Sequence, residues 1–328
     1  MKVLFVCSGN VNGFEVVPFI REQGEAIRKA GVDIDYFPVK GKGLKGYLTA
    51  SARLRNHLKQ NHYDLIHAHF ILSGCTAVLA SRKTPIVLSL MGSDAYGEYV
   101  GENRTLFFSR YLTILTRLIQ PFVSAIISKS SNIERYVYLK QKSFIVPNGI
   151  DITKFRSTPK NYRDELALNA GKKQVLFLGS RSSVRKNIKL AQNAISYLNR
   201  NDVELINPYP VSHDTIPKYL NSVHVLAVCS YMEGSPNVVK EAMACNCPIV
   251  ATNVGDIEWV FGNTEGCYIA SFKPEDYAAK LTEALNFSEG HRRTRGEQRI
   301  HDLALDSETV ARRVIEIYKK VLKDADPY

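Results

Sequence analysis

Short apolar runs of strand length alternate along this chain with longer segments whose apolar positions recur at helical spacing. The alternation is interrupted once, at Pro147-Asn148-Gly149. Before the break the strand-like runs are Lys2–Cys7, Asp33–Phe37, Leu65–Ala68, Ile86–Leu90, Ala125–Ser128 and Phe144–Val146, with helix-length stretches such as Phe14–Ala30 and Tyr47–Gln60 between them. After it, the polar stretch Arg156–Lys173 reads as linker plus a small helix. The pattern then restarts with Gln174–Leu178, Val203–Asn207, Val225–Val228, Pro248–Thr252 and Cys267–Ala270. Ser307–Leu322 is a final amphipathic helix. Strands this short, alternating with helices, predict βαβ units and a parallel, doubly wound sheet in each half. Ligands of such sheets bind beyond the carboxyl ends of the strands.

At 328 residues the chain can form two α/β domains, of about 150 residues each, that bury their own cores. Its 45% hydrophobic and 23% charged residues suit a soluble globular protein. The opening MKVLFVCSGN has one basic residue and an apolar run broken by Ser8 and Gly9, unlike a secretory signal. No run reaches the roughly 18 apolar residues of a membrane span. The expected location is the cytoplasm, with peripheral attachment to the inner face of the cell membrane as its extension. Cys7, Cys75, Cys229, Cys245, Cys247 and Cys267 sit mostly in apolar runs and read as buried free thiols. The C-x-C at Cys245 lacks the second ligand pair of a zinc site.

Charge changes the picture. Residues 1–155 hold 20 Lys and Arg against 11 Asp and Glu, whereas residues 156–308 hold 18 of each. A basic half beside a neutral one fits an anionic partner such as a phospholipid surface or a phosphate-bearing acceptor, or else a merely solubilising surface. Nucleic acid is not the expected partner, because interleaved basic and aromatic motifs are lacking and the charge is confined to one half.

The most informative segment is Glu233-Gly-Ser-Pro-Asn-Val-Val-Lys-Glu241. It follows a strand and opens a helix near Pro236, a residue suited to a first helical turn. The N–H groups of Asn237, Val238 and Val239 then lie at the positive end of that helix, a phosphate site in form, with Gly234 and Ser235 in the preceding turn. Glu233 and Glu241 bracket this turn, so each carboxylate can accept bonds from sugar hydroxyls on one side of a diphosphate. Arg181 and Lys186 directly follow a strand, where ligands of such sheets bind.

The segment resembles the E-x7-E signature of retaining GT-B glycosyltransferases, family four. Three further stretches agree in order: Leu90-Met-Gly-Ser-Asp94 with "HGSD", Val146-Pro-Asn-Gly-Ile-Asp151 with "PNGVD", and Phe177-Leu-Gly-Ser-Arg181 plus Lys186 with "GR…K". The resemblance implies two Rossmann-like doubly wound domains facing a central cleft. Residues 1–155 would be the acceptor side and 156–307 the donor domain, with 308–328 crossing back onto the first. It implies transfer of a hexose-type sugar from a nucleoside diphosphate sugar to a saccharide or lipid-linked acceptor hydroxyl, with retention, in cell-surface polysaccharide or glycolipid synthesis. Glu233 would contact the transferred sugar, Glu241 the ribose, and Arg181 and Lys186 the diphosphate, with no metal and no cofactor beyond the nucleotide sugar. Gly9 and Gly13 would lie in a donor and acceptor loop. The base would be read near Asn207–Pro210. An epimerase on the same fold, or a basic protein that binds an anionic surface, is the alternative.

Some positions depart from the family or stay open. Met91 stands where the family usually has His. Asp94 is either a cleft residue or a cap, and His69 either an acceptor contact or a packing histidine. Asp33-Ile-Asp35 has metal-binding spacing but falls within a strand, where solvated charges are expected. Arg104–Pro121 is a basic amphipathic stretch, which packs on a core or lies on an anionic membrane.

Overall fold

A computed structural model describes residues 1–10, 15–41, 43–160 and 162–325. The chain divides into two compact units: Met1–Glu98 with Thr105–Gly149 and Ser307–Tyr328, and Tyr99–Arg104 with Ile150–Asp306.

In the first unit β1 (Lys2–Ser8), β2 (Asp33–Val39), β3 (Leu65–His69), β4 (Ile86–Leu90), β5 (Ala125–Ser128) and β6 (Ser143–Ile145) form one parallel sheet, in the order β2-β1-β3-β4-β5-β6. All five residues of β3 and of β4 are buried. Both faces are covered, which is why these strands read as unbroken apolar runs rather than alternating ones. On one face Leu4, Ile66 and Leu88 pack with helices α2 (Gly43–Gln60), α3 (Ile71–Ala80) and α4 (Arg110–Ile119). On the other, Phe5 and Val87 pack with α1 (Pro18–Lys29) and with Val310, Val314 and Tyr318 of the C-terminal helix Ser307–Ala325. Tyr318 is fully buried, and its hydroxyl lies 2.5 Å from His67 Nδ1, while His67 Nε2 lies 2.8 Å from Ser89 Oγ.

The second unit repeats the scheme with β7 (Lys173–Leu176), β8 (Val203–Ile206), β9 (Val225–Val228), β10 (Ile249–Thr252) and β11 (Cys267–Ala270), all parallel, in the order β8-β7-β9-β10-β11. One face is covered by α5 (Ile188–Leu198) and α8 (Pro274–Phe287), the other by α6 (Ile216–Ser222) and α7 (Asn237–Ala244). Both sheets therefore have the 2-1-3-4-5 strand order, in which the chain winds outward in both directions from the gap between the first and third strands. The loops leaving these two strands diverge, and the crevice they open at the carboxyl edge is where such sheets hold ligands.

Several boundaries differ from those expected. The polar stretch Arg156–Lys173 contains turns and no helix among its described residues. Ile150–Phe155 belong to the second unit rather than the first, because Ile150 N–H donates to Leu305 O at 2.9 Å and Phe155 is buried in the second core. Tyr99–Arg104 also joins the second unit, its strand Tyr99–Gly101 packing beside the turn Val184–Lys186. The Arg104–Pro121 stretch is helical from Phe107 onward, as a 3-10 turn at Phe107–Ser109, α4, and a second 3-10 turn at Gln120–Phe122; only its first three residues are extended. Asp35 is held by Lys2 at 3.0 Å and by the Tyr63 hydroxyl at 2.8 Å, with Asp33 4.0 Å from the same ammonium. Cys7, Cys229, Cys245 and Cys247 are buried and Cys75 and Cys267 half-buried, all as free thiols. Among the described residues no helix is long and apolar enough to cross a membrane.

Tyr318 ties the C-terminal helix to the sheet. Tyr318→Ala should lower the stability of the first unit by about 3–5 kcal/mol, the usual cost of emptying an aromatic core site. Tyr318→Phe, which only unpairs His67 Nδ1, should cost about 1–3 kcal/mol. Denaturant midpoints of the three proteins check the order; equal midpoints would contradict it.

Candidate active site

In the second unit the switch-point loops are those leaving β7 and β9. The first carries Arg181, Arg185 and Lys186, the second Ser230 and Glu233. Lys186 Nζ lies 2.6 Å from Glu233 Oε1 and Arg185 Nη1 lies 2.7 Å from Oε2, while the Ser230 hydroxyl donates to Oε1 at 2.8 Å. The Glu233 side chain is only 11% exposed. Burial pushes its carboxyl upward, but the Lys186 and Arg185 charges outweigh burial and hold it at about 2. It is thus an ionised acceptor at neutral pH and cannot serve as a proton donor.

Backbone contacts keep this clasp in register. Tyr231 N–H donates to Arg185 O at 2.9 Å, Arg185 Nη1 returns a bond to Met232 O at 3.0 Å, and Thr252 Oγ1 donates to Ser230 O at 2.7 Å. Beneath the loop, Gly255 has φ of 65°, and a Cβ there would lie 2.8 Å from Gly234 O and 2.9 Å from Glu233 O. Only glycine meets both demands.

Pro236 caps α7, one residue before the expected position, and the helix runs from Asn237. Gly234 and Val239 are buried, Asn237 and Val238 half-buried, and Ser235 Oγ donates to Asp256 Oδ2 at 2.5 Å. One turn on, Glu241 is 4% exposed, with Oε1 lying 3.0 Å from His213 Nε2. His213 Nδ1 is 2.8 Å from Lys154 Nζ, which also pairs with Asp214 at 2.8 Å. An ammonium can only donate. Nδ1 is therefore the acceptor and Nε2–H points at Glu241, a chain Lys154→His213→Glu241 that fixes the carboxylate. Both this chain and the Glu233 clasp stand at the carboxyl edge of one sheet. Arg181 is exposed and makes no hydrogen bond or ion pair among the described residues.

Sequence reasoning missed Arg185, His213, Lys154 and Ser230. Arg185 adjoins Lys186 and Ser230 lies three residues before Glu233, so both are local to the motif, whereas His213 and Lys154 are brought in by the fold from distant segments.

In the first unit the switch point lies between β1 and β3, where Gly9 and His69 sit. Gly9 N–H donates to Val39 O at 2.9 Å, and a Cβ there would come within 2.9 Å of Pro38 Cβ. The expectation at Gly13 lies outside the described residues. His69 is 1% exposed, stacked on His67 at 4.2 Å between centroids and tilted against Phe5 at 4.6 Å, with neither ring nitrogen hydrogen-bonded among the described residues. Burial, assisted by the Lys129 charge, pulls its pKa well below the ordinary histidine value and keeps it neutral. Its neighbour Phe70 has φ of 80°, a strained value for a bulky residue. Asp94 is fully buried and caps its own turn, accepting from Met91 N–H at 2.9 Å and Gly92 N–H at 2.8 Å. Burial raises its pKa to about 6 against those bonds. Among the described residues no group of three or more His, Cys, Asp or Glu could hold a metal ion.

The profile of Glycosyltransferase Family 4 matches residues 11–154, and that of Glycosyl transferases group 1 matches residues 172–286. The chain belongs to the group 1, family 4 glycosyltransferases. It is 26% identical over 274 residues to the uncharacterized glycosyltransferase MJ1178 of Methanocaldococcus jannaschii, covering 79% of this chain and 75% of that one. Its fold is GT-B. Sucrose-phosphate synthase from Thermosynechococcus elongatus superposes with a TM-score of 0.80 at 17% identity, covering 98% of this chain and 99% of that one. Anabaena HepE, solved with UDP and glucose, superposes at 0.72 and 17% identity, covering 98% and 100%.

The Glu233 clasp gives this glycosyltransferase a pH signature. A carboxyl held at about 2, below its ordinary 4.5, contributes stability that is fully present above 4.5 and is lost as pH falls through that window. The stability difference between wild type and Glu233→Gln should therefore shrink from pH 5 towards about pH 2. A difference independent of pH would show that the clasp does not form in solution.

Proposed function

We propose that this glycosyltransferase moves a hexose-type sugar from a nucleoside diphosphate sugar to an acceptor hydroxyl with retention, in the synthesis of cell-surface polysaccharide or glycolipid at the inner face of the membrane. The observation that carries this reading is the Glu233–Lys186–Arg185 clasp at the switch point of the second unit, in the unit that also holds the amino end of α7. HepE, of the same fold, is solved with UDP and glucose, which supports the donor class.

In this reading the bond from the anomeric carbon to the phosphate oxygen breaks, and the acceptor oxygen bonds on the same face. The acceptor proton passes to the departing phosphate. Negative charge grows on the nucleoside diphosphate, and fixed cations aimed there lower the barrier. Lys186 and the unpaired Arg181 supply that charge, together with the helix dipole. Arg185 can hold Glu233 when Lys186 turns to the diphosphate. Glu233, ionised, accepts bonds from sugar hydroxyls. Glu241, its one oxygen fixed by His213, offers the other to the ribose. Asn207, whose Nδ2 donates to Phe177 O and Gly179 O at 3.1 and 2.9 Å, opens the segment assigned to the base. Gly9 and the unpaired, neutral His69 are assigned to the acceptor side. Asp94 is not, because its oxygens already serve the Met91 and Gly92 N–H groups.

Thermal shifts with UDP, GDP and ADP test the donor site, since a ligand at 100 times its dissociation constant adds about 2.7 kcal/mol. One of them should raise the melting point, and Glu241→Ala and His213→Ala should both weaken that nucleotide. If none of the three shifts the protein, the donor assignment fails. Because cations of the chain take the place of a divalent ion, transfer should survive EDTA. Complete loss, reversed by Mg²⁺ or Mn²⁺, would overturn the diphosphate assignment. Assays with donor alone separate transfer from epimerisation.

A further inference from the structure

On the first unit, α2, α3 and α4 enclose an open apolar groove of about 810 Å³. Leu72, Cys75 and Leu115 line its interior, and Leu48, Leu79 and Ile114 its rim. Its rim residues are half or more exposed, and beside it Phe107 and Phe108 are 75% and 83% exposed. Contiguous apolar surface of this kind marks a binding face.

Charge identifies the occupant. The three groove helices carry Lys45, Arg53, Arg55, Lys59, Arg110 and Arg117, and no Asp or Glu. Arg55 is anchored at the rim, its Nη2 donating to Leu79 O at 2.5 Å. A second copy docked by the same face would oppose Arg110 and Arg117 to their own equivalents, with no carboxylate on these helices to pair them. An apolar slot between helices whose charged residues are all basic, with the aromatic Tyr111 and Phe122 in its lining, matches a hydrocarbon chain below an anionic headgroup.

We infer that this groove takes one hydrocarbon chain of an anionic bilayer lipid, with Arg55, Arg110 and Arg117 at headgroup level and Phe107 and Phe108 in the interface. This deepens the acceptor reading above and rests on it only for a lipid as acceptor; occupancy itself requires no sugar transfer.

The test uses the full chain with Leu79→Trp as a reporter in a Trp259→Phe background, which leaves one indole, at the rim. Phosphatidylcholine vesicles, with and without phosphatidylglycerol, are prepared with brominated or ordinary acyl chains. The indole should be quenched by brominated chains in the anionic vesicles, and high salt should weaken the binding. Ile114→Glu, at an exposed position, should bind about tenfold more weakly or worse, because it places a charge in the hydrocarbon. Cys75→Phe, which fills the interior, should lose quenching. Vesicle binding without bromine quenching would mean adsorption on the surface only and overturns the inference. So does a dimer abolished by Ile114→Glu, or the absence of any vesicle binding at low salt. Nucleotide thermal shifts on the same preparations, unchanged in every variant, keep failure of this inference distinct from failure of the donor assignment.

Discussion

A carboxylate with about a tenth of its side chain exposed has to be neutralised where it sits, and in the second unit Lys186 and Arg185 do this for Glu233. Removing an ion from water costs several kcal/mol, so the clasp stands only if both cations arrive in register. That requirement explains much of the local backbone. The bonds between Tyr231 and Arg185 and between Thr252 and Ser230, and the space that only Gly255 leaves, all serve to hold two loops from non-consecutive strands at hydrogen-bonding distance. In the proposed reading it also stores two cations at a point from which a more highly charged diphosphate would draw one of them away.

The two units share a strand order but not the chemistry at their switch points. Where the second unit places an ion cluster, the first places two neutral histidines, a strained Phe70 and a glycine pressed on Pro38. His67 is spent on Tyr318 and Ser89, whereas His69 has no partner among the described residues. A buried polar ring left unpaired costs free energy. Its position next to a strained backbone, at the carboxyl edge, is the arrangement expected when stability yields to a functional contact.

Much of this was legible in the sequence because both sheets are buried on two faces. Ile86–Leu90, Ala125–Ser128, Val225–Val228 and Cys267–Ala270 have the same bounds in the structure as in the pattern of apolar runs. Glu233, Glu241 and Lys186 could be singled out because helix entry and strand exit are local features. His213 and Lys154 could not, since their meeting with Glu241 depends on contacts 28 and 59 residues long. The excursion of Tyr99–Arg104 into the second unit was hidden for the same reason. Arg104–Pro121 differs from its expected helix only at its first three residues, which are extended, because the helical apolar spacing does not mark where the chain turns in.

The net charge of +11 acquires a different meaning once its location is known. Net charge bears on association and solubility, not on fold. In the second unit basic and acidic residues nearly balance, and Lys186, Arg185, Lys154, Lys218 and Lys173 are paired with Glu233, Asp214, Glu165 and Glu289. In the first, six of the cations lie on three helices without one carboxylate among them, around a groove whose rim exposes Leu48, Leu79 and Ile114. A solubilising charge would be spread and mixed with acids. Segregation beside hydrocarbon-like surface works against solubility, so it is explained by a surface that is both anionic and apolar, and only secondarily by the isoelectric point.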